Sequence, residues 1–103
     1  MASSKEQLQF ILDQLSSLPE ITYRPMMGEF VLYHRGKIVG GIYDDRLLVK
    51  PVQSAIEYVK TPAFEQPYDG AKEMLLIENI DDRDYLTGLF QTMYDELLVP
   101  KKR

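Results

Sequence analysis

Residues 30–50 contain three short segments rich in β-branched and aromatic side chains, each separated from the next by two polar or small residues. The segments are 30–34, 37–43 and 46–50, and the separators are Arg35-Gly36 and Asp44-Asp45. Such segments with such short connections are typical of β-strands joined by tight turns. The region therefore predicts a three-stranded antiparallel meander, which restricts the chain to folds built around an antiparallel sheet.

Helical periodicity flanks the meander on both sides. Helices are predicted over residues 4–17, 52–60 and 82–98, and two further strands over residues 64–68 and 73–78. Ser3 and Glu6 have the spacing of a capping box for the first helix, and Asp81 is the predicted cap of the last one. The first of the two further strands is expected at a sheet edge, because Pro67 has no N–H to donate to a ladder.

The predicted order of elements is α-β-β-β-α-β-β-α, which indicates an α+β fold, a two-layer sandwich of helices on an antiparallel sheet. The 103 residues are enough for one hydrophobic core and too few for two. We expect a single domain over residues 1–100, followed by the basic tail 101–103.

The composition excludes several classes of function. The chain has no cysteine, which excludes disulfides, thiolate metal sites and iron–sulfur clusters. Its apolar runs are shorter than the roughly 18 residues that span a bilayer and its N-terminus is polar, so we expect no membrane span, no signal peptide and a cytoplasmic location. The net charge of −4, from 12 basic and 16 acidic side chains, argues against general nucleic-acid binding.

The two predicted hairpins assign the side chains of the meander to two faces. With two-residue loops, residue 34 pairs with 37 and residue 43 with 46, and paired residues share a face. The face expected beneath the helices carries Val31, Tyr33, Ile38, Gly40, Ile42, Leu47 and Val49. The opposite face has an apolar centre made of Phe30, Leu32, Val39, Tyr43 and Leu48. Apolar side chains on an otherwise exposed face predict an interface, either with a second copy of the chain in a homodimer or with a regulatory protein.

Four basic residues surround this apolar centre, namely Arg35, Lys37, Arg46 and Lys50. Cations beside aromatic rings on a sheet are typical of a surface that binds single-stranded nucleic acid, and they suit an acidic protein partner equally well. The protein interface is the preferred interpretation, and an anion or nucleic-acid contact through these four residues is the alternative.

Few residues have the chemistry of a catalytic, metal or cofactor site. His34 is the only histidine, and no partner that would orient it as a general base is identifiable. The acidic residues around Asp81 lack the glycine and distal glutamate of a calcium loop, and Ser54 lacks the glycines of a nucleophile elbow. We therefore predict a non-enzymatic protein without catalytic residues, metal or cofactor, and an enzyme that uses His34 is the remaining alternative.

Three stretches of the chain carry a resemblance to a known family. They are Arg24-Pro25-Met26-Met27-Gly28-Glu29, the run 33–50, and Pro67-Tyr68-Asp69-Gly70-Ala71-Lys72-Glu73-Met74. In this order they resemble the N-terminal domain of the TfoX/Sxy family of bacterial competence regulators, and the likeness covers almost the whole chain.

The resemblance implies an α+β module related in architecture to secretion chaperones, with no active-site residues to transfer. Full-length members of that family are coactivators of competence gene transcription and carry a second, helical C-terminal domain. Because this chain ends at Arg103, the resemblance implies a stand-alone regulatory module that acts through protein contacts in the transcriptional regulation of competence-type genes. A nucleic-acid-associated regulator is the alternative.

Overall fold

Three helices and six strands make up the computed structural model, which describes residues 3–97. In chain order they are α1 Lys5–Gln14, β1 Ile21–Met26, β2 Glu29–His34, β3 Lys37–Tyr43, β4 Arg46–Val49, α2 Gln53–Val59, β5 Phe64–Glu65, β6 Met74–Ile77 and α3 Arg83–Met93, followed by one 3₁₀ turn at Tyr94–Glu96. The predicted α+β fold is confirmed. The tail 101–103 and the predicted end of the last helix at residue 98 lie outside the described residues.

The six strands form one antiparallel sheet in the order β1-β2-β3-β4-β6-β5. Strand β1 is an addition to the predicted order of elements. It lies at the sheet edge and is exposed at every position except Ile21, so its sequence lacks the alternation that a half-buried strand shows. Pro25 is tolerated within it because an edge strand has one unpaired side.

Tight two-residue turns join the first four strands. Their backbone φ angles are 54° and 86° at Met27 and Gly28, 53° and 83° at Arg35 and Gly36, and 53° and 62° at Asp44 and Asp45. Positive φ at both central residues is the geometry of the type I′ turn, whose twist matches that of the flanking strands. The two predicted hairpin loops are confirmed, with His34 opposite Lys37 and Tyr43 opposite Arg46.

A bulge at Val39 makes the predicted assignment of faces wrong. Tyr33 lies opposite Ile38, but the next residue of β2, Leu32, lies opposite Gly40. The one extra residue in β3 reverses the alternation for the rest of the β2–β3 pair.

The correction concerns three residues that were expected on the face away from the helices. Phe30, Leu32 and Val39 lie in the hydrophobic core instead, and each is at most 7% exposed. In their place, Val31, Tyr33 and Ile38 of the predicted core face are only half-buried. The bulge therefore moves three of the five apolar residues that were expected at an interface into the interior of the protein.

The core lies between the helices and one face of the sheet. Leu8, Ile11, Leu15, Leu86, Leu89, Phe90 and Met93 from the helical layer pack with Leu32, Ile42, Leu47, Val49, Leu75 and Ile77 from the strands. Burial of these side chains is the main stabilising term of the fold. No helix within residues 3–97 is long and apolar enough to cross a membrane.

The N-caps of α1 and α3 each lie one residue after the predicted position. Ser4, not Ser3, caps α1 and accepts the Gln7 N–H at 3.1 Å. The Ser3 hydroxyl instead donates to the Glu29 carboxylate at 2.6 Å, which ties the start of α1 to the β1–β2 hairpin. Likewise Asp82, not Asp81, caps α3.

Candidate partner-binding site

The sheet face opposite the helices is partly covered by the chain itself. Leu48 and Tyr43 lie on this face, as expected, yet Leu48 is fully buried and Tyr43 is only 6% exposed. Residues 65–73, which we call the covering segment, lie beside Tyr43, since Pro67, Tyr68 and Ala71 line one cavity together with it. We infer that the cover expected from a partner is supplied here by the same chain.

Arg46 attaches the covering segment to the sheet. Its guanidinium forms an ion pair with Glu65 and donates to the backbone carbonyls of Tyr43, at 3.1 Å, and Gln66, at 3.4 Å. The Tyr68 ring lies 6.4 Å from the Tyr43 ring, between centroids, and Pro67 is buried. Arg46 is therefore engaged inside the chain, although the sequence indicated it as a contact for anions.

An open apolar cavity lies beside this cover, at the end of the sheet where β1 turns into β2. Its volume is about 440 Å³, and its lining consists of Met26, Met27, Glu29, Tyr43 and Tyr68. We call this cavity the Met–Tyr cup. Met27 is 97% exposed and Tyr68 59%, although both are apolar enough to favour burial. The cup therefore offers apolar surface that nothing within the described chain covers.

The fold explains why these side chains meet. Met26 ends β1, and Met27 occupies the first left-handed position of the next turn, so that its side chain projects into solvent. Tyr43 ends β3 at the same end of the sheet, because β2 and β3 are antiparallel neighbours. Tyr68 reaches the cup from the covering segment.

The charged side chain in the lining of the cup is a carboxylate. Glu29 lines the cup and accepts hydrogen bonds from the Ser3 hydroxyl at 2.6 Å and from the Asp44 N–H at 3.1 Å. Asp44 and Asp69 are exposed and follow the two tyrosines of the cup directly in sequence. Burial raises the pKa of the Tyr43 hydroxyl, and the nearby Tyr68 and Glu29 raise it further, so this hydroxyl stays neutral and able to hydrogen-bond.

Two other residues of the predicted basic set lie at the opposite end of β2 and β3. The Lys37 ammonium donates to the Tyr94 carbonyl at 3.2 Å and lies 4.0 Å from the centroid of the Tyr94 ring, while the Arg35 guanidinium is 5.9 Å from the same centroid. Lys50 lines a neighbouring cavity that shares Tyr43 and Tyr68 with the cup and also contains Pro67 and Lys72. The structure thus distributes Arg35, Lys37, Arg46 and Lys50 among different surroundings and does not bring them into one patch.

His34 lies beneath the basic end of the sheet. It is 4% exposed, its ring contacts the Tyr94 ring at 4.9 Å between centroids, and its Nδ1 has no hydrogen-bond partner among residues 3–97. Burial is the main cause that lowers its pKa, with Arg35 and Lys37 acting in the same direction and Glu20 against them. No described carboxylate orients the ring, as a general base would need. Within the described residues there is also no group of three His, Asp or Glu side chains placed to hold a metal ion.

The residues of the cup were not predicted as a site. Met26, Met27 and Glu29 were noted only for the resemblance they carry, and Tyr43 was placed at an interface for other reasons. A signal was present in Met27-Gly28, a pair that occupies a tight turn and leaves a large apolar side chain with nothing to pack against. Tyr68 is distant in sequence and could join this group only through the fold.

Comparison with known proteins identifies relatives of the chain. The profile of the TfoX N-terminal domain matches residues 13–87. A protein of Spirochaeta aurantia described as "Uncharacterized 12.7 kDa protein in trpE 5'region" is 29% identical over 104 residues, which cover 100% of this chain and 90% of that protein. No solved structure matches the chain.

Proposed function

Because the chain belongs to the TfoX N-terminal domain family, we propose that it is a regulatory domain that binds another protein in the transcriptional control of competence-type genes. The family is of regulatory type and is not a known enzyme family. The observation that carries the proposal is the exposed Met–Tyr cup, all of which falls inside the matched residues 13–87. A cytoplasmic location, where a transcriptional partner would be met, is part of the same proposal.

The chemistry of the cup suits a protein side chain. Exposed contiguous apolar surface marks interaction sites on soluble proteins. Methionines such as Met26 and Met27 adapt to differently shaped apolar groups, and the tyrosines add rigid rings with polar tips. A volume of about 440 Å³ lies within the usual range of small binding pockets and has room for one or two large side chains.

The charge around the cup defines the partner more closely. Glu29 lines it, the Asp44 N–H donates to the Glu29 carboxylate, and the chain as a whole has a net charge of −4. Negative charge at the site favours encounter with a positively charged partner and repels phosphate groups. We therefore expect the partner to insert an apolar side chain that is flanked in its own sequence by lysine or arginine.

A peptide selection tests the proposal while the partner is still unidentified. A random library of short peptides would be selected against the immobilised protein, and the enriched peptides measured in solution by fluorescence polarisation. We expect enriched peptides to combine a large apolar residue with lysine or arginine. Substitution Met27→Asp should weaken their binding by about tenfold or more, because burying a carboxylate against the apolar residue of the peptide costs more than its exposed attraction to a flanking lysine or arginine contributes.

The variant is designed to leave the fold intact. Aspartate tolerates the left-handed backbone of Met27, whose side chain has no buried contacts to lose. Phe64→Asp is the matched control, since Phe64 is exposed to 41% and does not line the cup. If no peptide is enriched, or if enriched peptides bind the Met27→Asp variant as well as the original protein, the proposal is wrong.

A further inference from the structure

Strand β1 has a free edge whose backbone groups are oriented for pairing. It is bonded only to β2, and its other side faces solvent. Just before the strand, the Arg35 N–H donates to the Glu20 carbonyl at 2.9 Å. Because bonding alternates along an antiparallel pair, the backbone groups of Ile21, Tyr23 and Pro25 point away from β2. Ile21 and Tyr23 thus present both an N–H and a carbonyl to solvent, and Pro25 presents a carbonyl only.

Apolar surface is concentrated at the same edge. The exposed large apolar residues among those described are Phe10, Tyr23, Met26, Met27, Phe64 and Tyr68. Tyr23, Met26 and Met27 all belong to β1 and the turn that follows it. A long, exposed edge strand with apolar side chains is an open template for pairing with another strand.

Opposite charges lie on the two ends of this edge. Glu20, with a φ of 57°, ends the turn before the strand, Arg24 lies within the strand, and both are exposed. Neither takes part in a salt bridge between residues 3–97. If the strand paired antiparallel with a copy of itself about Thr22, each Glu20 would come beside the partner's Arg24 at the end of the paired segment.

We propose that two copies of the chain form a dimer by pairing β1 with β1, antiparallel, about a twofold axis that passes through Thr22. In this register Ile21 lies opposite the partner's Tyr23, and Glu20 lies opposite the partner's Arg24. The twofold axis repeats both pairs, so the contact is self-complementary. The outward N–H and carbonyl groups of Ile21 and Tyr23 are then all bonded, and the two sheets become one continuous sheet.

Proline and charge both select this register over its neighbour. A register centred on Tyr23 would place Pro25 opposite Ile21, whose outward carbonyl would then have no N–H to accept. It would also place Arg24 opposite Thr22 and lose both charge pairs. Centred on Thr22, Pro25 lies opposite the partner's Pro19, beyond the bonded residues. Opposite charges placed directly across a strand pair stabilise it, and like charges destabilise it.

The dimer does not rest on the proposed function, because it uses the backbone edge of β1 and can be measured on the purified protein alone. The paired segment is short, so we expect a dissociation constant in the micromolar range, as for other small interfaces. Failure of the peptide selection would leave this proposal standing, and failure of the dimer would leave the Met–Tyr cup available to a partner.

A charge-swap experiment tests the register. Molar mass would be measured by sedimentation over about 1 to 200 µM protein, a range that brackets micromolar dissociation constants. We expect Arg24→Glu and Glu20→Arg each to raise the dissociation constant by about tenfold or more, because each creates two like-charge contacts. The double variant Glu20→Arg with Arg24→Glu should restore the dimer. Lys72→Glu, at an exposed residue outside β1, makes the same charge change as Arg24→Glu and should have no effect.

Amide hydrogen exchange provides an independent measurement. The N–H groups of Ile21 and Tyr23 should exchange more slowly as protein concentration rises, because only the dimer protects them. A protein that stays monomeric over the whole range overturns the proposal. So does a dimer that both single charge variants leave unchanged, or one that the double variant fails to restore.

Discussion

The histidine at the end of β2 occupies an unusual position for a titratable residue. His34 is almost fully buried, its Nδ1 has no partner among the described residues, and its ring contacts Tyr94. Of the charges that act on it, those of Arg35 and Lys37 disfavour a second proton and that of Glu20 favours one. Burial and the two cations together lower its pKa, so the folded protein holds this ring neutral. Its role is therefore packing beneath the basic end of the sheet. Protonating the ring in the folded protein has a free-energy cost, because the charged form is desolvated there.

That cost predicts a loss of stability in mild acid. The pKa of His34 in the folded protein lies below the value of 6.5 expected in the unfolded chain. Below pH 6.5 the unfolded chain therefore binds a proton that the folded protein does not, and the free energy of unfolding falls until the pH reaches the folded pKa. The contribution is fully present above 6.5. Urea unfolding of the original protein and of His34→Phe, compared at about pH 5.5 and 7.5, measures it.

The comparison isolates one residue, because His34 is the only histidine of the chain. The phenyl ring of His34→Phe keeps an aromatic contact with Tyr94 and cannot bind a proton. We expect the original protein to lose more stability than the variant between the two pH values. An equal loss in both proteins would show that His34 accepts its proton freely in the folded state.

At the scale of single elements, the N-terminus of α3 shows that only one of two neighbouring aspartates acts as the cap. Asp81 and Asp82 are neighbours, and either could cap α3 as far as sequence pattern is concerned. In the structure Asp82 has the extended backbone of a cap, with φ −104° and ψ 99°, and its carboxylate accepts the Tyr85 N–H at 3.1 Å. Only this carboxylate satisfies a backbone donor that the helix would otherwise leave unpaired.

The two aspartates therefore predict unequal effects of the same substitution. Asp82→Ala should lower the free energy of unfolding by about 1 kcal/mol, because it removes the cap hydrogen bond. Asp81→Ala removes an equal charge from the same helix end and should cost less than about 0.5 kcal/mol. Chemical unfolding of both variants under one set of conditions makes the comparison. Equal losses would mean that charge near the helix end, and not the cap, stabilises α3.

The elements also show what a periodic pattern can and cannot predict. Helix periodicity placed α1, α2 and α3 well, because each buries one face. The bulge at Val39 left no mark in the sequence, since the extra residue is as apolar and β-branched as Ile38 before it. One such residue reverses a two-residue period, and this is why Phe30 and Leu32 were assigned to the wrong face.

The candidate site was harder to predict than the elements for a related reason. Met27, Tyr43 and Tyr68 belong to a turn, a strand end and a loop that are distant in sequence. No local period connects them, and only the sheet order brings them to one end of the molecule. A site whose residues are brought together by the sheet order can be recognised only once the strand pairing is known.

Charge is the feature that belongs to the whole molecule. The chain carries a net charge of −4, and the carboxylate of Glu29 lines the Met–Tyr cup at one end of the sheet. At the other end, Lys37 and Arg35 flank the Tyr94 ring. Arg46 is held by Glu65 in a partly exposed ion pair. A nucleic acid needs many simultaneous phosphate contacts along one surface, and this arrangement offers separated cations within an acidic protein.

The charge distribution therefore predicts that the whole protein does not bind nucleic acid. Fluorescence anisotropy of labelled single-stranded and duplex DNA, at about 50 mM salt where phosphate contacts are strongest, should show no saturable binding. A variant without residues 101–103 should behave in the same way, which would show that the basic tail adds no affinity of its own. Binding that weakens steeply with salt and disappears in Arg35→Glu with Lys37→Glu would contradict the prediction. Such a result would place a phosphate-binding surface at the basic end of the sheet, which is the end opposite the cup. It would also mean that Arg35 and Lys37 act together, since a single cation would not overcome the acidic net charge.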